Sequence, residues 1–263
     1  MDNQKFSYPK FKANLFYGNR ADGSGGAMHL DDSLADLENN IFAYNRAKKQ
    51  GGGFGGTHGW YHALNNTVAY NEAGQDGGGM HLVNIKNPFL RPPKLRNNLF
   101  AFNKPDQVLI EENYIDAAYN TMHPGGFKGG YYNNATAPMF LDDSRMLEFT
   151  AARQDAAAYT TELSIAEPLK PDSLLGRIAR VGDFWTMIRG NTAGTVRVWG
   201  LLPATAGTAI EIVQTFHLSS DSRAINGGVY PDFAPTDIDG EPRYPPTVDI
   251  GADEYHKVSP LKR

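Results

Sequence analysis

Apolar and polar residues alternate along the first hundred positions in short bursts that begin and end on asparagine. Asn-Leu-Phe-Tyr-Gly-Asn (14–19), Asn-Ile-Phe-Ala-Tyr-Asn (40–45), Asn-Thr-Val-Ala-Tyr-Asn (66–71) and Asn-Leu-Phe-Ala-Phe-Asn (98–103) are four versions of one phrase. Their leading asparagines lie 26, 26 and 32 residues apart. Within each phrase the period is two, which is that of a β-strand whose side chains point to opposite faces in turn. Asn40, Phe42 and Tyr44 are therefore expected on one face, as are Asn66, Val68 and Tyr70. A second phrase runs between the first: Gly25-Gly26-Ala27-Met28, Gly51-Gly52-Gly53-Phe54 and Gly77-Gly78-Gly79-Met80. Here Met28 and Leu30 oppose His29, and Met80 and Leu82 oppose His81. A helical repeat would need apolar residues at three- and four-residue spacing and could not absorb three consecutive glycines.

Two motifs sharing one period mean a repeating architecture. About 26 residues holding at least two strands and turns rich in Gly and Asn suit one coil of a parallel β-helix. Phe16, Phe42, Val68 and Phe100 are then expected to stack through the interior at about 4.8 Å per coil. The asparagines would form ladders, each amide satisfying its neighbour in the next coil. The coils are expected over residues 1–141, with the extra length of the last spacing spent in a basic, proline-rich loop at 84–96. Residues 142–218 read as an irregular segment and a small β-rich module. Phe184–Ile188, Thr195–Trp199 and Ala209–Phe216 alternate there, and Arg153–Tyr159 reads as a short helix. The proline-rich tail, 219–263, is expected to lie extended along the stack.

Composition narrows this picture only a little. The chain has 263 residues, a net charge of −4, no cysteine and 28 glycines. Disulfides and thiolate sites are excluded, and no overall basic field exists to attract nucleic acid. No apolar run reaches membrane-spanning length, and residues 1–5 are not a signal peptide. An exported protein would have lost its leader, or the chain is a piece of a longer one.

Gly25–Met28 with Phe16–Asn19, Phe42–Asn45 and Phe100–Asn103 resembles the repeat of polymorphic outer-membrane proteins; Val68–Asn71 departs from it at one residue. The closing block resembles that of bacterial β-helix proteins with a choice-of-anchor Q domain. It comprises Leu218–Gly228, then Thr236-Asp237-Ile238-Asp239-Gly240-Glu241-Pro242-Arg243, then Val248-Asp249-Ile250-Gly251-Ala252-Asp253-Glu254-Tyr255. Together the resemblances imply a secreted or cell-surface, right-handed parallel β-helix of the pectin-lyase-like kind, all-β, with a small C-terminal antiparallel β module. They imply no reaction, because that fold carries lyases, hydrolases and adhesins alike.

The outward side of the glycine strands offers the chemistry. His29 and His81 should occupy equivalent places two coils apart, with Gly55 leaving a notch between them. Asp31, Asp32, His58, Trp60, Tyr61 and His62 follow along the same flank, and Lys86, Arg91 and Lys94 come from the basic loop. Aromatic rings stack on sugars and cations pair with uronate carboxylates. A lyase would need a base and positive charge there, and a hydrolase two carboxylates. The competing reading is a set of solvated turn residues on a repetitive scaffold. Asp31-Asp32-Ser33 and Asp142-Asp143-Ser144 could offer oxygens to calcium, but the turn reading is favoured because a calcium loop has a different spacing. No other cofactor is expected. The favoured function is a structural, adhesive or glycan-binding element whose partner is a carbohydrate or cell-surface polymer. A polysaccharide lyase or glycoside hydrolase using His29 and His81 is the alternative.

Overall fold

The computed structural model describes residues 8–83, 93–111, 116–124, 135–203, 205–229, 234–244 and 246–256. It is all-β, with no helix among these residues. Two compact units emerge: residues 1–140 with 217–263, and residues 141–216.

The first unit is a parallel β-helix built as the period requires. Each coil contributes one strand to each of up to four stacked sheets. The first sheet contains Lys10–Lys12, Leu34–Glu38, Trp60–Leu64, Lys94–Arg96 and Asp116–Ala118. The second holds the asparagine phrases as Leu15–Tyr17, Ile41–Ala43, Thr67–Ala69, Leu99–Ala101 and Thr121–His123. The third is made of the two-residue strands Arg20–Ala21, Arg46–Ala47 and Glu72–Ala73. Met28–Asp31, Phe54–Thr57, Met80–Val83 and Val108–Ile110 form the fourth. Register follows the sequence alignment, with Phe16 opposite Phe42, Phe42 opposite Val68, and Val68 opposite Phe100. These side chains meet in one core with Leu37, Tyr61, Leu82 and Leu95, and Phe16 stacks on Phe42 with ring centres 4.6 Å apart.

The asparagine ladders form as expected. Asn40 donates from its amide to Asn66 Oδ1 at 3.0 Å, and Asn66 donates to Asn98 Oδ1 at 2.9 Å. A second ladder runs through Asn45, Asn71 and Asn103. The glycines permit close coil-to-coil approach: a Cβ on Gly52 would lie 2.2 Å from the carbonyl oxygen of Gly78.

Tyr44 and Tyr70 do not share the face of Phe42 and Val68. They adopt left-handed φ values of 57° and 56°, which breaks the two-residue alternation at the end of each strand. Their rings stack outside the coil, 5.3 Å apart, and continue onto Phe102 at 4.9 Å.

In the strands Ile41–Ala43, Thr67–Ala69 and Leu99–Ala101 the second sheet is buried on both sides. Leu218, Ala224 and Ile250 of the C-terminal block pack against Leu99 and Ala101, which lie beside inward Phe100. The block is held by a set of asparagines that precede the inward ones. Asn39, Asn65 and Asn97 all have left-handed φ near 54° and turn their amides outward. Asn65 donates to the carbonyl of Asp249 at 3.2 Å and accepts from the Ala234 N–H at 3.1 Å. Asn97 donates to Val229 O and accepts from Val229 N, while Asn39 donates to Thr236 O. In the first coil the equivalent residue is Ala13, and Leu15 there is 44% exposed.

Residues 141–216 form a closed antiparallel barrel of six strands. In barrel order they are Arg145–Asp155, Thr160–Ile165, Thr195–Trp199, Phe184–Asn191, Ile178–Val181 and Ala209–Ile212. The core is Leu147, Phe149, Leu163, Ile188, Val196, Val198 and their neighbours. Arg153–Tyr159 is not a helix: Arg153–Asp155 end a strand and the rest is a turn. Ladder bonds from Arg153 to Glu162 and from Asp155 to Thr160 outweigh the weak helical preference of the alanines. Asp142 closes a turn by accepting from the Ser144 hydroxyl, whereas Asp143 ties distant parts of the chain: it accepts from the Thr215 N–H and hydroxyl and pairs with Arg177 at 3.3 Å.

Candidate functional site

The outer face of the first sheet brings several interacting polar groups together. Parallel register places Lys10, Asp36, His62, Lys94 and Asp116 in one column. Lys12, Glu38, Leu64 and Arg96 stand in the next. Lys10 Nζ is 3.5 Å from Asp36, and the Tyr8 hydroxyl donates to Asp36 at 2.6 Å. His62 Nδ1 lies 3.5 Å from the same carboxylate, and Arg96 Nη2 reaches both oxygens of Asp116 at 2.6 Å. Desolvation and then Asp36 push the Tyr8 hydroxyl well above the usual phenol range. Asp36, His62, Arg96 and Asp116 are half-buried, so their charges act with less screening than that of the exposed Lys10. Trp60 lies 4.0 Å ring to ring from His62 and is itself buried.

The expected flank is thus divided. Tyr61 alternates inward and is 1% exposed, its ring edge-on to Phe54 and its hydroxyl donating to the carbonyls of Leu30 and Thr57. No ligand on the outer surface can stack on it. Lys94 lies on the first sheet in register with His62, rather than on the strand bearing His81. Lys86 and Arg91 lie outside the described residues.

The two fourth-sheet histidines keep the expected register, with Gly55 between them. Their surroundings differ, however. His29 is exposed, and its ring leans across Gly55, whose Cβ would fall 2.7 Å from His29 Nδ1, so no notch remains. His81 is 5% exposed and bonded to Glu111 through Nε2 at 3.0 Å. The pair therefore does not converge on a common space.

Asp31, Asp32 and His58 meet at the corner between the fourth sheet and the next coil. Asp31 Oδ1 accepts from the Thr57 hydroxyl at 2.5 Å and faces His58 Nδ1 at 3.0 Å. Those two contacts hold the Asp31 carboxyl below its ordinary range. The three residues could present one ligand atom each to a cation, as could His217, Asp239 and Asp253, and Asp237, Glu241 and His256. The latter two groups belong to the C-terminal block, where the carboxylates mostly close turns. Asp237 Oδ1 accepts from the N–H groups of Asp239 and Glu241, Asp249 accepts from Asn226 and Tyr255, and Asp253 from Leu218. Arg243, fully buried at its side chain, bonds Glu254 and the carbonyls of Gly251 and Ala252. Burial raises Asp253 to about 6 and Glu254 to about 7.

Sequence reasoning missed the part played by Asp36, Arg96 and Asp116. The signal was available: each occupies an outward phase of a strand in register with a charged or aromatic neighbour. Among the described residues no helix is long and apolar enough to cross a membrane. No family model matches the chain, and no curated protein or solved structure is significantly similar to it.

Proposed function

We propose that the coils are a non-catalytic, secreted or cell-surface display element that binds a carbohydrate polymer along the outer face of the first sheet. The observation that carries this reading is the in-register column Lys10–Asp36–His62–Lys94–Asp116. It repeats hydrogen-bonding and ionic groups once per coil, about every 4.8 Å. An extended glycan running along the stack would meet a fresh row at each step of roughly one sugar unit. The resemblance to surface β-helices of the pectin-lyase-like kind, with a choice-of-anchor Q closing block, supports the same location and role. Against catalysis by the expected pair stands the lack of a common space between His29, exposed beside Gly55, and His81, buried against Glu111.

Affinity electrophoresis of the full chain through acidic and neutral polysaccharides tests the reading. Retardation by at least one polymer is expected, reduced in His62→Ala and Lys94→Ala and unchanged in His29→Ala. Equal retardation of all three variants would move the site off this face. Uronate-polymer cleavage that disappears with any of these substitutions would replace a binding element by a lyase.

A further inference from the structure

The surface of the barrel of residues 141–216 carries an open hollow of about 220 Å³ lined by polar residues. Drug-sized ligands occupy roughly 300–1,000 Å³, so this one suits a single small polar ring. Its walls come from the strand Phe184–Asn191, the strand Thr195–Trp199 and the turn that carries Asp172. Between the two strands Ile188 pairs with Val198 and Gly190 with Arg197, and the register shifts in between. Arg189 is the extra residue at that shift, and irregularities of this kind re-aim a side chain out of the ladder. Its guanidinium lies 4.7 Å from the centre of the Trp199 ring, a contact that limits its freedom in advance of any ligand.

Charge pairing separates this arginine from the others of the barrel. Arg145, Arg153, Arg177, Arg180 and Arg197 each face a carboxylate. Arg189 faces none among the described residues. The Asp172 carboxylate across the hollow also forms no hydrogen bond or ion pair among them. Asp172 Oδ1 instead stands over Gly190, 3.4 Å from where a Cβ would be. The bare floor at Gly190 keeps the hollow open, and the hydroxyls of Thr192 and Thr195, 2.8 Å apart, border it.

We propose that this hollow is a second binding site, independent of the coil face, for one carboxylated sugar unit of the uronic-acid class. Arg189 takes the carboxylate. Asp172 accepts hydrogen bonds from ring hydroxyls on the far side. The same Asp172 discriminates by charge: it opposes the compact, doubly charged form of inorganic phosphate more than the single, more distant carboxylate of a uronic acid, so phosphate fits poorly.

Titration of the full chain with galacturonic acid, galactose and inorganic phosphate, read by nuclear magnetic resonance at the tryptophan indole signals, tests the site. Saturable binding of galacturonic acid at millimolar concentration is expected, with a shift of the Trp199 signal. Galactose and phosphate should bind at least about ten-fold more weakly. Arg189→Ala should weaken galacturonic acid about ten- to hundred-fold, and Gly190→Val, which fills the floor with a residue suited to a strand, should abolish it. Asp172→Asn should raise the affinity for phosphate. His62→Ala on the coils should leave all of this unchanged, so a failed coil site and a failed barrel site are told apart. Phosphate binding as tightly as galacturonic acid, unchanged affinity in Arg189→Ala and Gly190→Val, or the absence of any saturable shift would overturn the proposal.

Discussion

Replacing Asn66 by Leu probes the ladder in its buried middle. The Asn66 side chain takes part in four hydrogen bonds: Oδ1 accepts from the Asn40 backbone N–H and amide, and Nδ2 donates to Leu37 O and Asn98 Oδ1. Two of the four partners keep another bond after the change. The Asn40 amide still donates to Phe11 O, and Asn98 Oδ1 still accepts from the Asn66 backbone N–H. The Asn40 N–H and the Leu37 carbonyl lose their side-chain partner inside the coil. At about 1–3 kcal/mol for each stranded group, the loss is about 2–6 kcal/mol, a large part of the roughly 5–15 kcal/mol that holds a domain. Urea unfolding followed by far-ultraviolet circular dichroism should show the coil transition move down by about 1–3 M at a slope of about 2 kcal/mol/M. Asn14→Leu is the control, because Asn14 sits in the half-exposed first coil, where water replaces lost partners. Equal effects from the two substitutions, or an Asn66→Leu shift within about 0.5 kcal/mol of zero, would refute the ladder as a source of stability.

Gly52→Ala should unfold or strongly destabilise the coils, since its Cβ would overlap a backbone carbonyl in the next coil, while Gly23→Ala, which meets nothing within 4 Å, should leave the melting temperature unchanged. Asn65→Ala removes the bonds to Asp249 and Ala234 and should loosen the C-terminal block by about 1–3 kcal/mol, visible as faster proteolysis within residues 217–256 with the barrel unaffected. The raised carboxyls of that block give a pH dependence of defined sign. Asp253 near 6 and Glu254 near 7 bind protons more readily folded than unfolded, so their contribution is fully present below about pH 4 and is lost as pH rises through 6 to 7. Protection factors for hydrogen exchange in the block, with the base-catalysed rise of the intrinsic rate divided out, should therefore be larger at pH 5 than at pH 8, and Asp253→Asn should flatten that difference.

Register, core and ladder were legible because a strict repeat leaves no freedom: once Phe42 faces in, every residue 26 positions away must do the same. The two members of each asparagine pair were not separable by period alone. Asn39-Asn40, Asn65-Asn66 and Asn97-Asn98 look alike in sequence, yet the first turns out to the tail and the second turns in to the ladder. What distinguishes them is the left-handed backbone at the first position, which asparagine tolerates better than most residues. Ala13-Asn14 and Tyr119-Asn120 lack the outward amide, and the tail bonds described here reach only the three coils that have it. A doubled asparagine is thus a readable mark of where a solenoid is covered. The flank failed for a different reason: the corner at Asp32 and His58 is also left-handed, and it sends the residues on either side of it to different sheets.

The outer stack of Tyr44, Tyr70 and Phe102 bears on where a polymer could bind. A bulky residue held at positive φ costs about 1–3 kcal/mol, yet three successive coils place an aromatic there, where Gly or Asn would be easier. The compensation lies in the rings, which face one another at 5.3 and 4.9 Å with interplanar angles of 10° and 23°. Tyr17 and His123 flank the stack at its two ends. Because each ring face is covered by the next ring, the middle of the stack offers edges to the outside. Sugar stacking uses faces, so the most obvious aromatic array of this chain serves coil cohesion. Recognition of a polymer then falls to polar groups repeated in register on an outer face, as in the first sheet's column Lys10–Asp36–His62–Lys94–Asp116, so its substitution, rather than that of the tyrosines, should govern binding.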